Sequence, residues 1–241
     1  MNHIQFEDRG REKYKQTWDF QEALLQENIK HKANGEATDQ RLIFVEHPSV
    51  YTLGKSGKPQ HMLLSEEEQQ ERGVEYFHSN RGGDITFHGP GQLVGYPILD
   101  LENFKTDLGW YLRSLEEVII LTLAHYGLHG DRSKGETGVW LDPDIKGKER
   151  KICAMGIRCS RWITMHGFTL NINTALCYFD NIIPCGIANK KVTSLEAELD
   201  RAVDMNEVKE LVKHNFEKVF DVRLVNGSIP AQTASHPPAV Q

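Results

Sequence analysis

Three stretches of the sequence combine residue types that could carry out chemistry, and the first covers residues 81–92. Its four glycines leave much of the backbone without side chains, so N–H groups beside Arg81 and His88 can approach a ligand closely. Strand formers at 85–87 separate the two glycine clusters, and a strand pattern resumes at 93–99. This arrangement favours a pocket wall built on backbone, with two ordinary hairpin turns as the alternative interpretation.

The other two stretches each offer one reactive side chain. Cys185 lies between Pro184 and Gly186, which places its thiol on a turn. Lys151 opens the strand-like run 151–158. A cysteine–lysine pair in a half-buried pocket can exchange one proton and serve as nucleophile and general acid/base. Considered alone, the cysteine is better explained as a small buried apolar residue, and the lysine as a solvated residue at the end of a strand.

Together and in this order, these stretches resemble the octanoyltransferase family, also called lipoyl(octanoyl) transferases, of the biotin/lipoate protein ligase superfamily. Members carry an R-G-G-x-x-T-[YF]-H-G-P-G-Q run, a K-[IV]-x-[AS]-x-G-[IVL]-R strand, an H-G-x-x-L-N run and a P-C-G turn. In this sequence the motifs fall at 81–92, 151–158, 166–171 and 184–186. The resemblance covers roughly residues 14–225 and is much more specific than one glycine-rich turn.

The resemblance implies a fold and an activity. The fold is α/β of the α+β type, with a mixed, largely antiparallel sheet flanked by helices, as in biotin/lipoate protein ligases. The activity is the transfer of an octanoyl group from octanoyl-acyl carrier protein to Cys185, and then to a lysine of a lipoyl domain. The acceptors are E2 subunits of 2-oxoacid dehydrogenases and the glycine cleavage H protein, and this step begins endogenous protein lipoylation. Lys151 becomes the general acid/base, and neither a cofactor nor a metal is expected.

The resemblance also assigns substrate binding to three segments, in which glycines would let the acyl chain pack against backbone. The assigned residues are Arg81, Gly82, Gly83, Asp84, Ile85, Thr86, Phe87, His88, Ala154, Met155, Gly156, Gly167, Phe168 and Thr169. For His166, a structural imidazole and a substrate contact both stay open.

Two positions depart from the family pattern. Ile183 stands where members usually have Asn before the P-C-G turn, so a side-chain hydrogen bond from that position is lost. Cys153 replaces a small apolar residue next to Lys151 and introduces a second thiol near the predicted site. The remaining cysteines, Cys159 and Cys177, are predicted to be structural.

Composition indicates a reduced, cytoplasmic, soluble enzyme, and we expect it to be a monomer. The net charge of −6 argues against a general nucleic-acid binder, and no membrane-spanning run is present. The four cysteines form no C-x-x-C pair, so neither a zinc site nor a disulfide framework is indicated. We predict one catalytic domain over residues 1–225 and a disordered tail over 226–241.

The elements that must position these residues follow from periodicity and capping. Helices are predicted from residue 14 to 32, from a capping box at Ser65 to Gly73, from 108 to 126, and after Asp204, with Glu207 completing its cap. Strands are predicted at 42–45, 50–53, 74–77, 85–87, 93–99, 137–141, 151–158, 162–166 and 168–173.

Two other classes of protein remain open at this point. An ATP-dependent lipoate or biotin protein ligase shares the glycine-rich loop and the strand lysine but needs no cysteine nucleophile. A non-catalytic acyl-protein binding relative would need neither Cys185 nor Lys151. Both residues are present, which favours the transferase.

Acidic carrier proteins would need a local basic surface on this acidic chain. Two basic clusters flank the proposed pair in the sequence and are the candidates for that surface. They consist of Lys146, Lys148 and Arg150, and of Lys190 and Lys191.

Overall fold

The computed structural model describes residues 2–183 and 191–227. Within these ranges the α-helices are α1 (Tyr14–Ala33), α2 (Glu66–Glu71), α3 (Leu108–His125), α4 (Leu195–Leu199) and α5 (Met205–Phe220). The strands are β1 (Asn2–Arg11), β2 (Arg41–Glu46), β3 (Val50–Leu53), β4 (Glu75–His78), β5 (Ile85–His88), β6 (Gln92–Ile98), β7 (Gly130–Asp131), β8 (Val139–Leu141), β9 (Arg150–Ser160), β10 (Ile163–Asn171), β11 (Lys191–Val192) and β12 (Val222–Asn226). Short 3-10 helices cover Pro59–His61, Leu101–Asn103 and Leu176–Asn181. None of the helices in these ranges is long and apolar enough to cross a membrane.

One large sheet runs in the order β12-β1-β2-β6-β10-β9-β8-β7, with the short β11 paired to β9. Its central pairs, from β2 through β6 and β10 to β9, are antiparallel, whereas β1 runs parallel to both of its neighbours. A smaller sheet has the order β4-β3-β5. The predicted fold class, a mixed and largely antiparallel sheet flanked by helices, is confirmed.

Helices cover both faces of the large sheet because successive side chains of each strand point to opposite faces. On β2, Leu42 and Phe44 belong to the apolar cluster that contains residues of α3 and α5. Ile43 and Val45 of the same strand belong to the cluster that contains residues of α1. The strands that carry the site are thus held between two packed layers.

The helix ends follow the predicted capping chemistry with one difference. Ser65 and Glu68 form the predicted capping box of α2, and Gly127, at a φ of 72°, follows α3. Asp204 caps α5 by accepting the N–H of Asn206, as predicted. Glu207 does not complete that cap, because its carboxylate accepts the hydroxyl of Tyr126 at 2.9 Å.

The segments 162–166 and 168–173 form one strand, β10, so the prediction of two strands was wrong. The ladder with β9 continues through His166 and Gly167, although His166 has a positive φ of 58°. A residue other than glycine in that region marks a local bend rather than the end of the strand. The strand begins after Trp162 because Arg161 and Trp162, with φ values of 51° and 65°, form the preceding turn.

Four strands of the large sheet were not predicted: β1, β12 and the two-residue strands β7 and β11. In β1 only Ile4 and Phe6 are buried apolar residues, and the rest of its sequence is polar. β12 pairs with β1 from Val222 to Asn226, so the last described strand extends one residue past the predicted domain boundary. The division into residues 1–225 and a disordered tail stays a prediction, and residues 228–241 lie outside the described part.

Candidate active site

A cavity opens where the glycine-rich loop (residues 81–84) meets β9 and β10. Most of the predicted substrate-binding residues line it: Arg81, Gly83, Asp84, Ile85, Thr86, His88, Ala154, Met155, Gly156, Gly167, Phe168 and Thr169. Lys151 lines the same cavity. The structure therefore brings together three segments that are widely separated in the sequence.

Two predicted substrate-binding residues among those described, Gly82 and Phe87, are not part of this lining. Gly82 lies behind it and donates its N–H to the carbonyl of Ile157 at 2.9 Å. The ring of Phe87 stacks on Tyr178, with centroids 4.5 Å apart. Cys185 lies outside the described residues.

A β-bulge sets the direction of the Lys151 side chain. Between β8 and β9, Val139 pairs with Cys153 and Trp140 pairs with Lys151, so Ile152 is an extra residue on β9. Such bulges turn side chains away from the regular alternation. The Lys151 ammonium lies 4.6 Å from the centroid of the Trp140 ring, whose π-face attracts a cation.

The glycine-rich loop is fastened to the sheet by backbone contacts that require glycine. A Cβ on Gly156 of β9 would lie 2.7 Å from the carbonyl oxygen of Gly82. On the other side, the N–H groups of Lys55 and Ser56 donate to Arg81 and Gly83 at 2.9 and 3.1 Å. The loop is therefore clamped between β9 and the turn that follows β3.

The Arg81 guanidinium helps to hold the glycine-rich loop in place. The group is buried and donates to the carbonyl of Thr52 at 2.5 Å, to the Thr52 hydroxyl, and to the carbonyl of Gly82 at 2.9 Å. Several of its donors thus hold the protein's own backbone, and they fix the loop conformation.

His88 is held in one tautomer by its neighbours. Gln92 donates from Nε2 to the carbonyl of Phe87 and to Oδ1 of Asn171, at 3.1 and 2.8 Å, so its Oε1 must be an acceptor. His88 Nδ1, 3.0 Å away, therefore donates to that oxygen, and Nε2 accepts the Thr52 hydroxyl at 3.1 Å. Burial lowers the pKa of His88 well below its usual range, so the imidazole is neutral.

This chain of hydrogen bonds joins the two sides of the cavity. At one end the Thr52 hydroxyl accepts from Arg81. At the other end Asn171 donates to the carbonyl of Thr193 at 3.0 Å, and the Thr193 N–H donates to the carbonyl of Lys151 at 3.0 Å. Buried networks of this kind rigidify a site when every member is satisfied.

His166 has a structural environment. It is buried, does not line the cavity, and its Nε2 lies 2.6 Å from Oδ1 of Asn80. Burial lowers the pKa of His166 to about 3. Of the two interpretations left open by the sequence, the structural imidazole fits these contacts.

The segment that leads to Cys185 lies against the residues before α2. Ile183 donates its backbone N–H to the carbonyl of His61 at 2.9 Å, and Leu63 donates to Asn181 at 3.0 Å. His61 in turn pairs through Nδ1 with the carboxylate of Asp84 in the glycine-rich loop, at 2.7 Å. The backbone bond of Ile183 does not depend on its side chain, so the departure from Asn leaves this contact intact.

Sequence reasoning missed several lining residues. They are Thr137, Asn171, Phe179 and Val192. Asn171 closes the recognised H-G-x-x-L-N motif and could have been singled out for its buried amide. The other three carry no local signal, because only the folding of the chain brings them to the cavity.

The thiols of the described cysteines differ in environment. Cys153 is fully buried, and burial raises the pKa of its thiol well above the usual range. Burial also raises the pKa of the Cys159 thiol, while Cys177 is exposed. The second thiol beside Lys151 is thus poorly suited to nucleophilic attack. Residues 2–183 and 191–227 contain no cluster of three or more His, Cys, Asp or Glu side chains that could hold a metal ion.

One member of the predicted basic clusters is committed to other partners. Arg150 binds Asp142 at 2.5 Å and Glu198 at 2.6 Å, and these carboxylates neutralise its charge. Lys191 is exposed, and Lys190 lies outside the described residues.

Comparison with known proteins places the chain in a family. It matches the model of the lipoyl protein ligase A/B catalytic domain over residues 13–217. It is 55% identical over 229 residues to an octanoyltransferase of Flavobacterium psychrophilum, covering 92% of this chain and 98% of that protein. It belongs to the octanoyltransferase family. An octanoyltransferase of Christiangramia forsetii is 53% identical over 228 residues, covering 92% and 97% of the two chains.

The fold of this octanoyltransferase-family chain recurs in solved structures. A bi-partite lipoate protein ligase from Thermoplasma acidophilum, described with its E2 lipoyl domain, superposes with a TM-score of 0.68. The match covers 96% of this chain and 89% of the ligase at 14% sequence identity. At that identity the likeness shows a shared fold.

Proposed function

We propose that the protein transfers an octanoyl group from octanoyl-acyl carrier protein to a lysine of a lipoyl domain, through a thioester on Cys185. The observation that carries the proposal is the position of Lys151 in the wall of a cavity built from the family's motif segments. The sequence identity to octanoyltransferases supports octanoyl as the group that is transferred.

In the first step the Cys185 thiolate attacks the carbonyl carbon of the octanoyl thioester. A new C–S bond forms to Cys185, and the bond to the phosphopantetheine sulfur breaks. The Lys151 ammonium gives its proton to that departing thiolate, which leaves as a thiol. The lysine ends this step neutral.

In the second step the neutral amine of the acceptor lysine attacks the acyl-enzyme. The amide C–N bond forms, the C–S bond to Cys185 breaks, and Lys151 takes the proton that the amine loses. The thiolate and the ammonium are thereby restored. Thioester exchange is nearly balanced and amide formation is downhill, so the proposed reaction uses no ATP.

The cavity offers apolar surface for an unbranched acyl chain. Ile85, Met155, Phe168, Phe179 and Val192 contribute side chains to the lining. Burying the methylenes of an octanoyl chain at ~0.8 kcal/mol each would contribute on the order of 5 kcal/mol to binding.

The cytoplasmic location and the monomeric state stay predictions, as do the E2 and H-protein acceptors. The ATP-dependent ligase is the competing enzyme, since its relatives share the fold. A ligase would need ATP to load its acyl group, and the transferase would not.

The test is intact-mass analysis after mixing with octanoyl-acyl carrier protein in the absence of ATP. We expect one octanoyl mass on the wild type and on Cys177→Ser, a matched variant of an exposed cysteine. Cys185→Ser should carry no adduct. An adduct that persists in Cys185→Ser, or one that appears only with ATP, would overturn the proposal.

A further inference from the structure

The loop between β7 and β8 (residues 132–138) brings a carboxylate to Lys151. Oε2 of Glu136 lies 3.8 Å from the lysine Nζ, and the two side chains are only 20% and 17% exposed. The carboxylate and the Trp140 ring therefore contact the same ammonium. Nothing in the sequence motifs points to Glu136.

A fully buried carboxylate on α3 anchors this loop. Oε1 of Glu116 accepts the backbone N–H of Gly138 at 3.0 Å. Its Oε2 accepts from Arg113 at 2.6 Å and from Arg132 at 3.1 Å. Arg132 also binds Glu117 at 2.7 Å, so the first and last residues of the loop are tied to the same helix.

The loop is also fixed against β9. Gly138 has a φ of 105°, and a Cβ there would overlap the carbonyl of Cys153. The Thr137 hydroxyl donates to the carbonyl of Met155 at 3.4 Å. Glu136 is thus attached to a segment that has little freedom to move away from Lys151.

We propose that Glu136 is a positioning residue for Lys151. The Glu136 carboxylate holds the lysine ammonium at the cavity wall, in the protonated form that the first acyl transfer uses. This inference rests on the proposed function. A lysine side chain has four flexible carbons, and a nearby carboxylate together with an aromatic face restricts where its charge lies. The carboxylate also opposes loss of the proton until a thiolate leaving group is present to receive it.

Within residues 2–183, the other titratable or charged groups that line the cavity or lie beside Lys151 are paired, neutral or buried. Asp84 across the cavity is paired with His61, and His88 is neutral. Arg81 binds the backbone of its own loop. The Cys153 thiol has a raised pKa because it is buried. On β11 Lys191 follows residues outside the described part, and its side chain is exposed.

Removing the Glu136 charge should shift the pKa values of the neighbouring groups in a predictable direction. Without the carboxylate, both the lysine ammonium and a neighbouring thiol lose their protons more easily. Both limbs of the pH profile of kcat/KM should therefore move to lower pH in Glu136→Gln. For a partly exposed pair the expected displacement is about half a pH unit.

The experiment measures kcat/KM for octanoyl-pantetheine against pH in wild type, Glu136→Gln and Glu117→Gln. Glu117→Gln is the matched control, because it removes one charge that braces the same loop but does not contact Lys151. We expect both limbs to shift in Glu136→Gln alone, at unchanged melting temperature. A lower rate with an unmoved profile, or the same shift in Glu117→Gln, would overturn the positioning role.

Acyl-enzyme formation is followed by intact mass in the same samples. If the wild type forms no adduct on Cys185, the proposed function fails. If the adduct forms and the two variants share the wild-type pH profile, only the role of Glu136 fails.

Discussion

The proposed mechanism gives Lys151 two separate roles, and substitutions can distinguish them. Its charge can stabilise a nearby thiolate, and its proton can be given to a leaving group. Arginine keeps the charge but cannot release a proton at working pH. The Glu136 carboxylate and the Trp140 face would accept either cation.

We therefore predict that Lys151→Arg keeps thiolate reactivity and loses turnover. The rate at which iodoacetamide alkylates Cys185 at pH 7 should stay within about threefold of wild type, while octanoyl transfer falls by 10²-fold or more, the contribution typical of a general acid. Lys151→Ala should lose both. Equal loss of alkylation in the two variants would show that the proton, not the charge, sustains the thiolate.

Individual residues of the site were predictable from the sequence to different degrees. Lys151 and Gly156 stand in a motif with fixed spacing, and the structure places both at the cavity. Arg81 was also recognised, but its use in clamping the loop depends on Thr52, which has no motif of its own. Contacts between distant residues of this kind have no signature in a single sequence.

At the scale of elements, the close approach of the glycine-rich loop to β9 determines the shape of the cavity. The N–H of Gly82 reaches the carbonyl of Ile157 only because Gly156 has no side chain. Displacing the loop would therefore move every contact that the proposed substrate makes with it.

Gly156→Ala is accordingly predicted to damage activity more than stability. A Cβ 2.7 Å from the Gly82 carbonyl must push the loop outward, and misplacement of about 1 Å can cost about a hundredfold in rate. We expect kcat/KM to fall by a factor of that order, with the melting temperature lowered by only a few degrees. Steady-state kinetics with octanoyl-acyl carrier protein and a thermal melt check this.

A matched substitution serves as the control. Gly109→Ala lies in the first turn of α3, away from the cavity, where alanine favours the helix. It should leave kcat/KM unchanged. If Gly156→Ala retained full activity, the backbone contact between loop and strand would not govern the site.

Elements with a strong local pattern were predicted well, and those that depend on partners were not. α1 and α3 have clear helical periodicity and appear close to their predicted bounds. β1 carries Glu7 in a buried position, where it pairs with Arg9 and Arg41. A charged residue in a strand becomes favourable only when its ion partners are in place, which local sequence does not reveal.

At the scale of the whole molecule, buried neutral histidines couple stability to pH. Burial lowers the pKa of His47 to about 4 and that of His166 to about 3, and it lowers that of His88 as well. These groups are neutral when folded but take up protons in the unfolded chain below about pH 6.5. Their contribution to stability is complete above that pH and is lost as the pH falls toward 4 and 3.

We predict that the free energy of unfolding falls by about 1.4 kcal/mol per pH unit for each of these histidines between pH 6 and 5. Urea unfolding across this range measures the slope. His47→Gln should reduce the slope by about the contribution of one histidine, whereas His3→Gln, at an exposed position, should leave the slope unchanged. An undiminished slope in His47→Gln would mean that other groups control the acid sensitivity.

The pairing of β1 with β12 can form only late in the synthesis of the chain. Asn2 lies opposite Val222, so one side of β1 acquires its partner only after some 220 further residues have been joined to the chain. At about 5–20 residues per second, the ribosome needs roughly 10 to 45 seconds to deliver them. During that interval the nascent chain presents an unsatisfied strand edge, the kind of surface that invites pairing with another chain. The charged residues Glu7, Asp8 and Arg9 directly follow the edge that β12 later covers, and like charges on two such chains would discourage their association until β12 arrives.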